Sequence, residues 1–325
     1  MSAHLANKMD LKALPKVELH CHLDGILGLA MLRDIRRDDP TFPIDPREFE
    51  RAYPVRDLES FWNWWRFIDS IELEHFYPIL GRYIEQLRAQ NVRYSEIMIG
   101  SGELSRDSAK AVDEVRAFRE WAGRQAGNEI QVEFLVVFGR DAPPDGVAAL
   151  GERLLALYEA DLIVGVAVAG PEQGNPIKPF RKTLARLHEA GLGIEIHAGE
   201  WCGPESVWDA LEHGYPDRIG HGVSLFRDER ALDLVRERGI HVEMCPTSNL
   251  KTGSVSRIED HPVRLARDLG LNFGINTDDP GPFGCSMESE FRLLAQVFGF
   301  DGGDFEAIYA NSLGARFQRE LRVRV

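Results

Sequence analysis

Apolar positions along the chain change period in a regular way. Lys16 to His22 alternates and reads as a short strand, with Leu23-Asp24-Gly25 as the turn leaving it. Leu27 to Arg37 reads as a helix. Asp39 to Pro54 is rich in Pro, Asp and Arg and reads as an irregular excursion. Leu58, Phe61, Trp65 and Ile68 then recur at helical spacing, and Trp62 and Trp64 widen that apolar face. Such a stripe is either core or an aromatic lid over a flat ligand. The alternation continues with a helix over 76–89, a strand over 92–100, a helix over 109–126 and a strand over 130–138. Helices over 146–158, 180–190, 204–213, 229–238 and 261–269 follow, between strands at 162–169, 192–197, 218–222, 240–245 and 271–276. Two further helices, 287–298 and 305–317, come after the last strand.

Eight alternations with crossover-length helices fit a closed (β/α)8 TIM barrel or an open doubly wound sheet. There is no Gly-x-Gly-x-x-Gly fingerprint to favour the open sheet. Polar residues gather at predicted strand ends instead: His20, His22, Glu96, Gly170, His197, Glu200, His221, Cys245, Asp278 and Asp279. Barrel active sites are assembled on that face. The expected fold is therefore a TIM barrel, about residues 14–315, with additional helices over its carboxyl-terminal face. Residues 1–325 are expected to form a single catalytic domain.

Composition narrows the function. A chain that is 44% hydrophobic and 28% charged has an ordinary globular balance. Its net charge of -14 argues against a nucleic-acid or anionic-membrane partner. No run is long enough to span a bilayer. Met1 to Leu11 lacks the apolar core of a secretory signal. The cysteines, at 21, 202, 245 and 285, have neither zinc-finger nor disulfide spacing. A cytoplasmic protein with reduced thiols is expected, with homo-oligomerisation left open.

The chemistry begins at His20-Cys21-His22. Residues two apart on a strand share a face, so both imidazoles point the same way. Neutral imidazole is a good zinc ligand. His197 ends the fifth strand and Asp278 the eighth, and strands one, five and eight of a barrel can converge near its axis. Three imidazoles and a carboxylate make a zinc site with a position for water. The fourth strand offers no Lys, His or Cys to bridge a second metal, so one zinc ion per chain is expected.

His20-x-His22-x-Asp24-Gly25, His197-Ala198-Gly199-Glu200, Gly220-His221-Gly222, Cys245-Pro246-Thr247-Ser248-Asn249 and Asn276-Thr277-Asp278-Asp279-Pro280 together resemble the adenosine deaminase family, a branch of the amidohydrolases. The resemblance implies a barrel with one catalytic zinc held by His20, His22, His197 and Asp278. It implies that Glu200 and His221 are the catalytic acid and base. It places Asp279 and Gly170 at the purine ring and Asp24 at the ribose. The chemistry agrees with these side chains. Glu200 can protonate ring nitrogen N1 so that C6 accepts hydroxide. His221 can accept a proton from the water or stabilise charge on it. Asp279 can orient the hydroxide or hold N7. Leu58, Phe61 and Trp65 would cover the sugar side.

The expected reaction is zinc-dependent hydrolytic deamination of a small-molecule 6-aminopurine nucleoside, adenosine to inosine plus ammonia. The alternatives are deamination of adenine or of a modified aminopurine nucleoside, or another zinc-dependent amidohydrolase reaction. A silent relative is disfavoured by the complete motif set. The His-x-Glu and Pro-Cys-x-x-Cys signature of nucleic-acid deaminases is absent. Related adenine deaminases tend to carry Glu at the place of Asp24 and Asp at that of Gly220, so this chain tilts toward a nucleoside. It departs from the family at Ala167, where an acidic residue is common.

Overall fold

The computed structural model describes residues 9–53, 55–68, 71–318 and 320. The reading of residues 1–8 as no secretory signal, and Pro54 of the excursion, lie outside them.

Eight strands form one sheet in sequence order: β1 Lys16–His22, β2 Val92–Gly100, β3 Gln131–Gly139, β4 Gly165–Ala169, β5 Gly193–Ala198, β6 Arg218–His221, β7 His241–Met244 and β8 Phe273–Ile275. All seven sequential pairings are parallel. β8 returns to β1 through a parallel bridge between Cys21 and Asp278. There Asp278 N donates to His20 O and His22 N donates to Asp278 O, each at 3.0 Å. The sheet is a nearly closed (β/α)8 barrel, as the alternation predicts.

The helices form where amphipathic periodicity and end signals coincide. Leu184 and Leu187 bury one face of Arg181–Glu189, and Leu232 and Val235 one face of Glu229–Glu237. Asp107 caps Ser108–Ala126 by accepting from Lys110 N at 2.8 Å, and Asp301 caps Gly302–Ala315 by accepting from Gly303 N and Asp304 N. The excursion at 39–54 contains a short helix, Pro46–Ala52, capped by Asp45 and started by Pro46. The Pro-Asp-Arg content that suggested irregularity is there a helix-start signal.

Glu96, expected at a strand end, lies in the middle of β2. It belongs to a buried charged layer deep in the barrel. Arg218 NH1 is 2.7 Å from Glu96 Oε2, and Arg218 Nε is 2.8 Å from Glu243 Oε1. Phe317 closes this layer from the amino-terminal end of the strands. Its ring lies 3.5 Å from the Arg218 guanidinium carbon, and its N donates to Glu96 Oε1 at 2.7 Å. A Cβ at Gly193 would sit 2.2 Å from that ring, so glycine is what lets the ring enter. The last helix ends at Ala315, and Phe317 belongs to the plug beyond it.

The plug should be worth measuring. Phe317→Ala is expected to lower stability by about 2–3 kcal/mol, less than a fully buried phenylalanine because the ring is partly exposed. Urea unfolding with an unchanged midpoint would show that Phe317 merely lies against the barrel.

Candidate active site

The carboxyl ends of the strands surround a cavity of about 300 Å3. Its walls include His22, Asp24, Gly170, His197, Glu200, His221, Asp278 and Asp279. His20 lies buried immediately beneath, its ring centroid 4.5 Å from that of His197. Four of the five motifs thus contribute side chains to the cavity wall, and the fifth, 245–249, stands behind it through Ser248 at Asp278 and Asn249 at His221.

Four donors approach one another closely. His22 Nε2 is 3.2 Å from His197 Nε2. Asp278 Oδ1 is 3.3 Å from both His20 Nε2 and His22 Nε2. Ligands about 2.0 Å from a tetrahedral zinc would stand about 3.3 Å apart. His20 Nε2 is buried with no well-directed hydrogen bond, the state of a nitrogen whose partner is an ion. The residues present therefore fit a zinc ion. A looser donor set, with atoms within 4.8 Å, replaces His22 by His221. The tighter spacing favours His22, and His221 has other partners: Glu200 Oε2 lies 3.5 Å from its Nε2, and Asn249 Nδ2 lies 3.1 Å from its Nδ1.

Partners behind these rings fix their direction. Glu243 Oε2 is 2.9 Å from His20 Nδ1, and Glu195 Oε1 is 3.1 Å from His197 Nδ1. Each carboxylate holds the far nitrogen, leaving Nε2 for a metal. Ser248 Oγ donates to Asp278 Oδ2 at 2.6 Å. The buried Arg140 donates to His197 O at 2.5 Å. Glu172 accepts from Gly199 N at 2.9 Å and from Glu200 N and Trp201 N at 2.8 Å, which fixes the turn carrying Glu200. His221 and Asp278 have φ of 63° and 64°, left-handed backbone that a residue with a Cβ adopts only under constraint.

The protonation tendencies suit acid chemistry. Burial and the neighbouring Asp278 hold the Glu200 carboxyl well above its ordinary range. Burial, Asp278 and Asp24 do the same to Asp279. Burial lowers His221 to about 3, so its imidazole is neutral.

The lid needs one correction. Phe61 and Trp65 line the cavity, but Leu58 does not; it packs half-buried against the core. Trp62 takes its place, with its ring 5.5 Å from that of Trp201, edge to face. One helical turn offers several directions, and that of Leu58 does not reach the cavity. Trp64 is fully buried, so the same helix is both core and lid.

Sequence reasoning assigned no role to Glu172, Glu195, Glu243, Arg140, Trp201, Asn249 and His261. Glu195 and His197 share a strand face, and a charged residue inside an otherwise apolar strand was the signal available. Asn249 lay inside a quoted motif without a role. Glu172 and Arg140 act from loops, where no periodicity points to them.

A parallel barrel with a histidine–aspartate donor set and an acidic pair at the strand ends defines the class: a metal-dependent amidohydrolase. The family model described as adenosine deaminase matches residues 15–322, and the chain belongs to that family. It is similar to an adenine deaminase of Rhizobium rhizogenes, 32% identical over 320 residues covering 94% of this chain and 96% of the relative. It is similar to an aminodeoxyfutalosine deaminase of Streptomyces avermitilis, 31% identical over 318 residues covering 94% and 87%. Among solved structures, adenine deaminase from Arthrobacter aurescens has a TM-score of 0.83 at 27% identity, covering 95% of each chain. A zinc-bound amidohydrolase from Burkhoderia ambifaria shares the fold, with a TM-score of 0.81 at 24% identity and coverage of 98% and 89%. The protein is a hydrolytic deaminase of the adenine and adenosine type. Among the described residues no helix is long and apolar enough to cross a membrane.

The carboxylate behind His20 gives a direct test. Glu243→Gln should weaken zinc binding roughly 10–100-fold. Competition with a chromogenic chelator measures it, and an unchanged affinity would remove Glu243 from the support of His20.

Proposed function

We propose that the protein removes the 6-amino group of a purine nucleoside, with adenosine as the simplest substrate, using one zinc ion per chain. The observation that carries the reading is the convergence of Glu200, His221 and the His20–His22–His197–Asp278 donors at one cavity. Zinc held by those four would supply Lewis acidity and activate a water. The chain's own groups do the rest. Glu200 gives its proton to ring nitrogen N1 as C6 accepts the water oxygen, then takes back one proton from that oxygen, while the other water proton goes to the departing amine, which leaves as ammonia. His221 orients that oxygen from the other side of the Glu200 carboxyl. Asp279 meets N7, and Gly170 offers its backbone to the ring edge.

Three features favour a nucleoside over free base or nucleotide. Asp24 lines the cavity, where its carboxylate would accept from a sugar hydroxyl. Among the described lining residues there is no lysine or arginine, while Glu103, Asp141 and Asp24 contribute carboxylates. A 5'-phosphate would meet like charge. At Gly220 a Cβ would come 2.2 Å from Glu195 Oε1 and 2.9 Å from His20 Cε1. An aspartate of the kind expected there in adenine deaminases has no room, because Glu195 already fills the space.

A second reading has its own observation. Phe61, Trp62, Trp65 and Trp201 form an aromatic wall at the cavity mouth, more apolar surface than a plain ribose uses. It favours a nucleoside carrying an apolar group on its sugar. One relative is named aminodeoxyfutalosine deaminase rather than adenine or adenosine deaminase.

A panel of adenine, adenosine, adenosine monophosphate and adenosines with apolar 5' groups, ranked by kcat/KM for ammonia release, tests both readings. Adenosine should lead adenine and the monophosphate by at least roughly tenfold, about 1.4 kcal/mol. Adenine in first place overturns the role of Asp24; a 5'-substituted nucleoside far ahead of adenosine selects the second reading. Metal analysis should find about one zinc per chain, lost with activity in His20→Ala. Glu200→Gln should retain the metal and lose roughly 10²–10⁴-fold in kcat. A zinc-replete Glu200→Gln protein turning over normally would take the proton-donor role away from Glu200.

A further inference from the structure

Behind His221 runs a line of buried hydrogen bonds that the reaction as described does not use. Val263 N donates to His261 Nδ1 at 3.2 Å. His261 Nε2 is 3.1 Å from Asn249 Oδ1, and Asn249 Nδ2 is 3.1 Å from His221 Nδ1. Asn249 is fully buried, and His261 and His221 nearly so.

The direction of every proton in this line follows from its first member. A backbone N–H can only donate, so His261 Nδ1 is an acceptor. A neutral imidazole that accepts at Nδ1 carries its proton on Nε2. Burial keeps His261 neutral by lowering it to about 3. His261 Nε2–H therefore donates to Asn249, and the atom facing it must be the amide oxygen. The opposite amide orientation would leave His261 accepting at both nitrogens, with no proton at all. With its oxygen committed, Asn249 presents its NH2 to His221 Nδ1. His221 Nδ1 is then an acceptor, and the neutral ring bears its proton on Nε2, the nitrogen facing Glu200 and the metal donors.

We infer that Asn249 and His261 are positioning residues that fix the tautomer of His221, so that His221 enters the reaction as an Nε2–H hydrogen-bond donor rather than as a base with a free Nε2 lone pair. Of the two roles open to His221, taking a proton from the water or stabilising charge on it, the relay selects the second. A donor aimed at the place where negative charge develops lowers the barrier without needing to reorganise. The relay starts at the first turn of Val263–Asp268, so a helix remote from the cavity sets a proton inside it.

The inference rests on the deaminase reading only for its expected rate effects; the tautomer itself is read without substrate. Long-range 1H–15N spectra of zinc-loaded, histidine-labelled enzyme should show His221 protonated at Nε2 and bare at Nδ1. Asn249→Asp puts an acceptor opposite Nδ1 and should move the proton there, with zinc content unchanged, KM within about twofold and kcat down roughly 10²-fold. His261→Leu should scramble the His221 tautomer and lower kcat. His261→Gln, whose amide still donates to Asn249, should restore both. A wild-type His221 protonated at Nδ1 overturns the proposal, whether or not the variants fold. So does an Asn249→Asp enzyme with the proton moved and kcat intact. Failure of every aminopurine to release ammonia would sink the deaminase reading and leave the spectrum as the judge of the relay.

Discussion

The closure of the barrel and the construction of the site are the same event. β8 joins β1 through a bridge between Cys21 and Asp278, and the residues on either side of Cys21 are His20 and His22. The hydrogen bonds that close the cylinder run from Asp278 N to His20 O and from His22 N to Asp278 O. Three of the four residues proposed to hold the metal, His20, His22 and Asp278, are thus fixed relative to one another by backbone geometry. The left-handed backbone of Asp278 (φ 64°) is what lets its carbonyl serve the bridge while its carboxylate turns inward. A conformation of this kind costs about 1–3 kcal/mol and persists only where the surroundings dictate it. Here both neighbouring strands do.

Below the donors the barrel accepts a second cost. Glu96, Glu195, Glu243 and Arg218 are buried together, with fewer positive than negative charges among them. Burying ions is expensive, and apolar side chains of equal volume would serve stability as well. The arrangement makes sense through what it holds: Glu243 and Glu195 bind the Nδ1 atoms of His20 and His197. Burial presses Glu195 up to about 8, whereas Glu243, beside Arg218, lies below the usual carboxylate range despite its burial. Excess negative charge at this depth suits a dication above it. Phe317 completes the layer by covering Arg218 from the other end, excluding water that would weaken every interaction in it.

How much of this was legible in the sequence depended on the kind of signal. Strand alternation and helix periodicity gave the order of the eight strands, and the two-residue spacing of His20 and His22 put both on one face. Groups at strand ends, such as His197, Glu200 and Asp278, were visible because an ionisable residue after an apolar run is conspicuous. Glu195 carried the same signal from inside a strand but served a ring rather than a substrate. Leu58 was misplaced for a different reason. A helical stripe specifies an apolar arc wider than one contact, and the sequence does not say where along that arc the core ends and the cavity begins. Glu172, Arg140 and Phe317 act through loop or terminal geometry with no period at all. Their roles depend on where folding brings them.

The relay behind His221 shows why such silent residues matter to the chemistry. His221 itself is readable from Gly220-His221-Gly222, but an imidazole has two neutral forms, and only one presents a proton to the reaction. The ring cannot choose between them alone. Two hydrogen bonds away, His261 is tied to a backbone N–H that has no alternative state. That fixed donor removes the ambiguity from His261, then from Asn249, then from His221. The motif supplies the functional group, and the fold supplies its proton. A residue far from the substrate can therefore govern the rate while leaving binding untouched, because it acts on which atom carries the hydrogen and not on where the substrate sits.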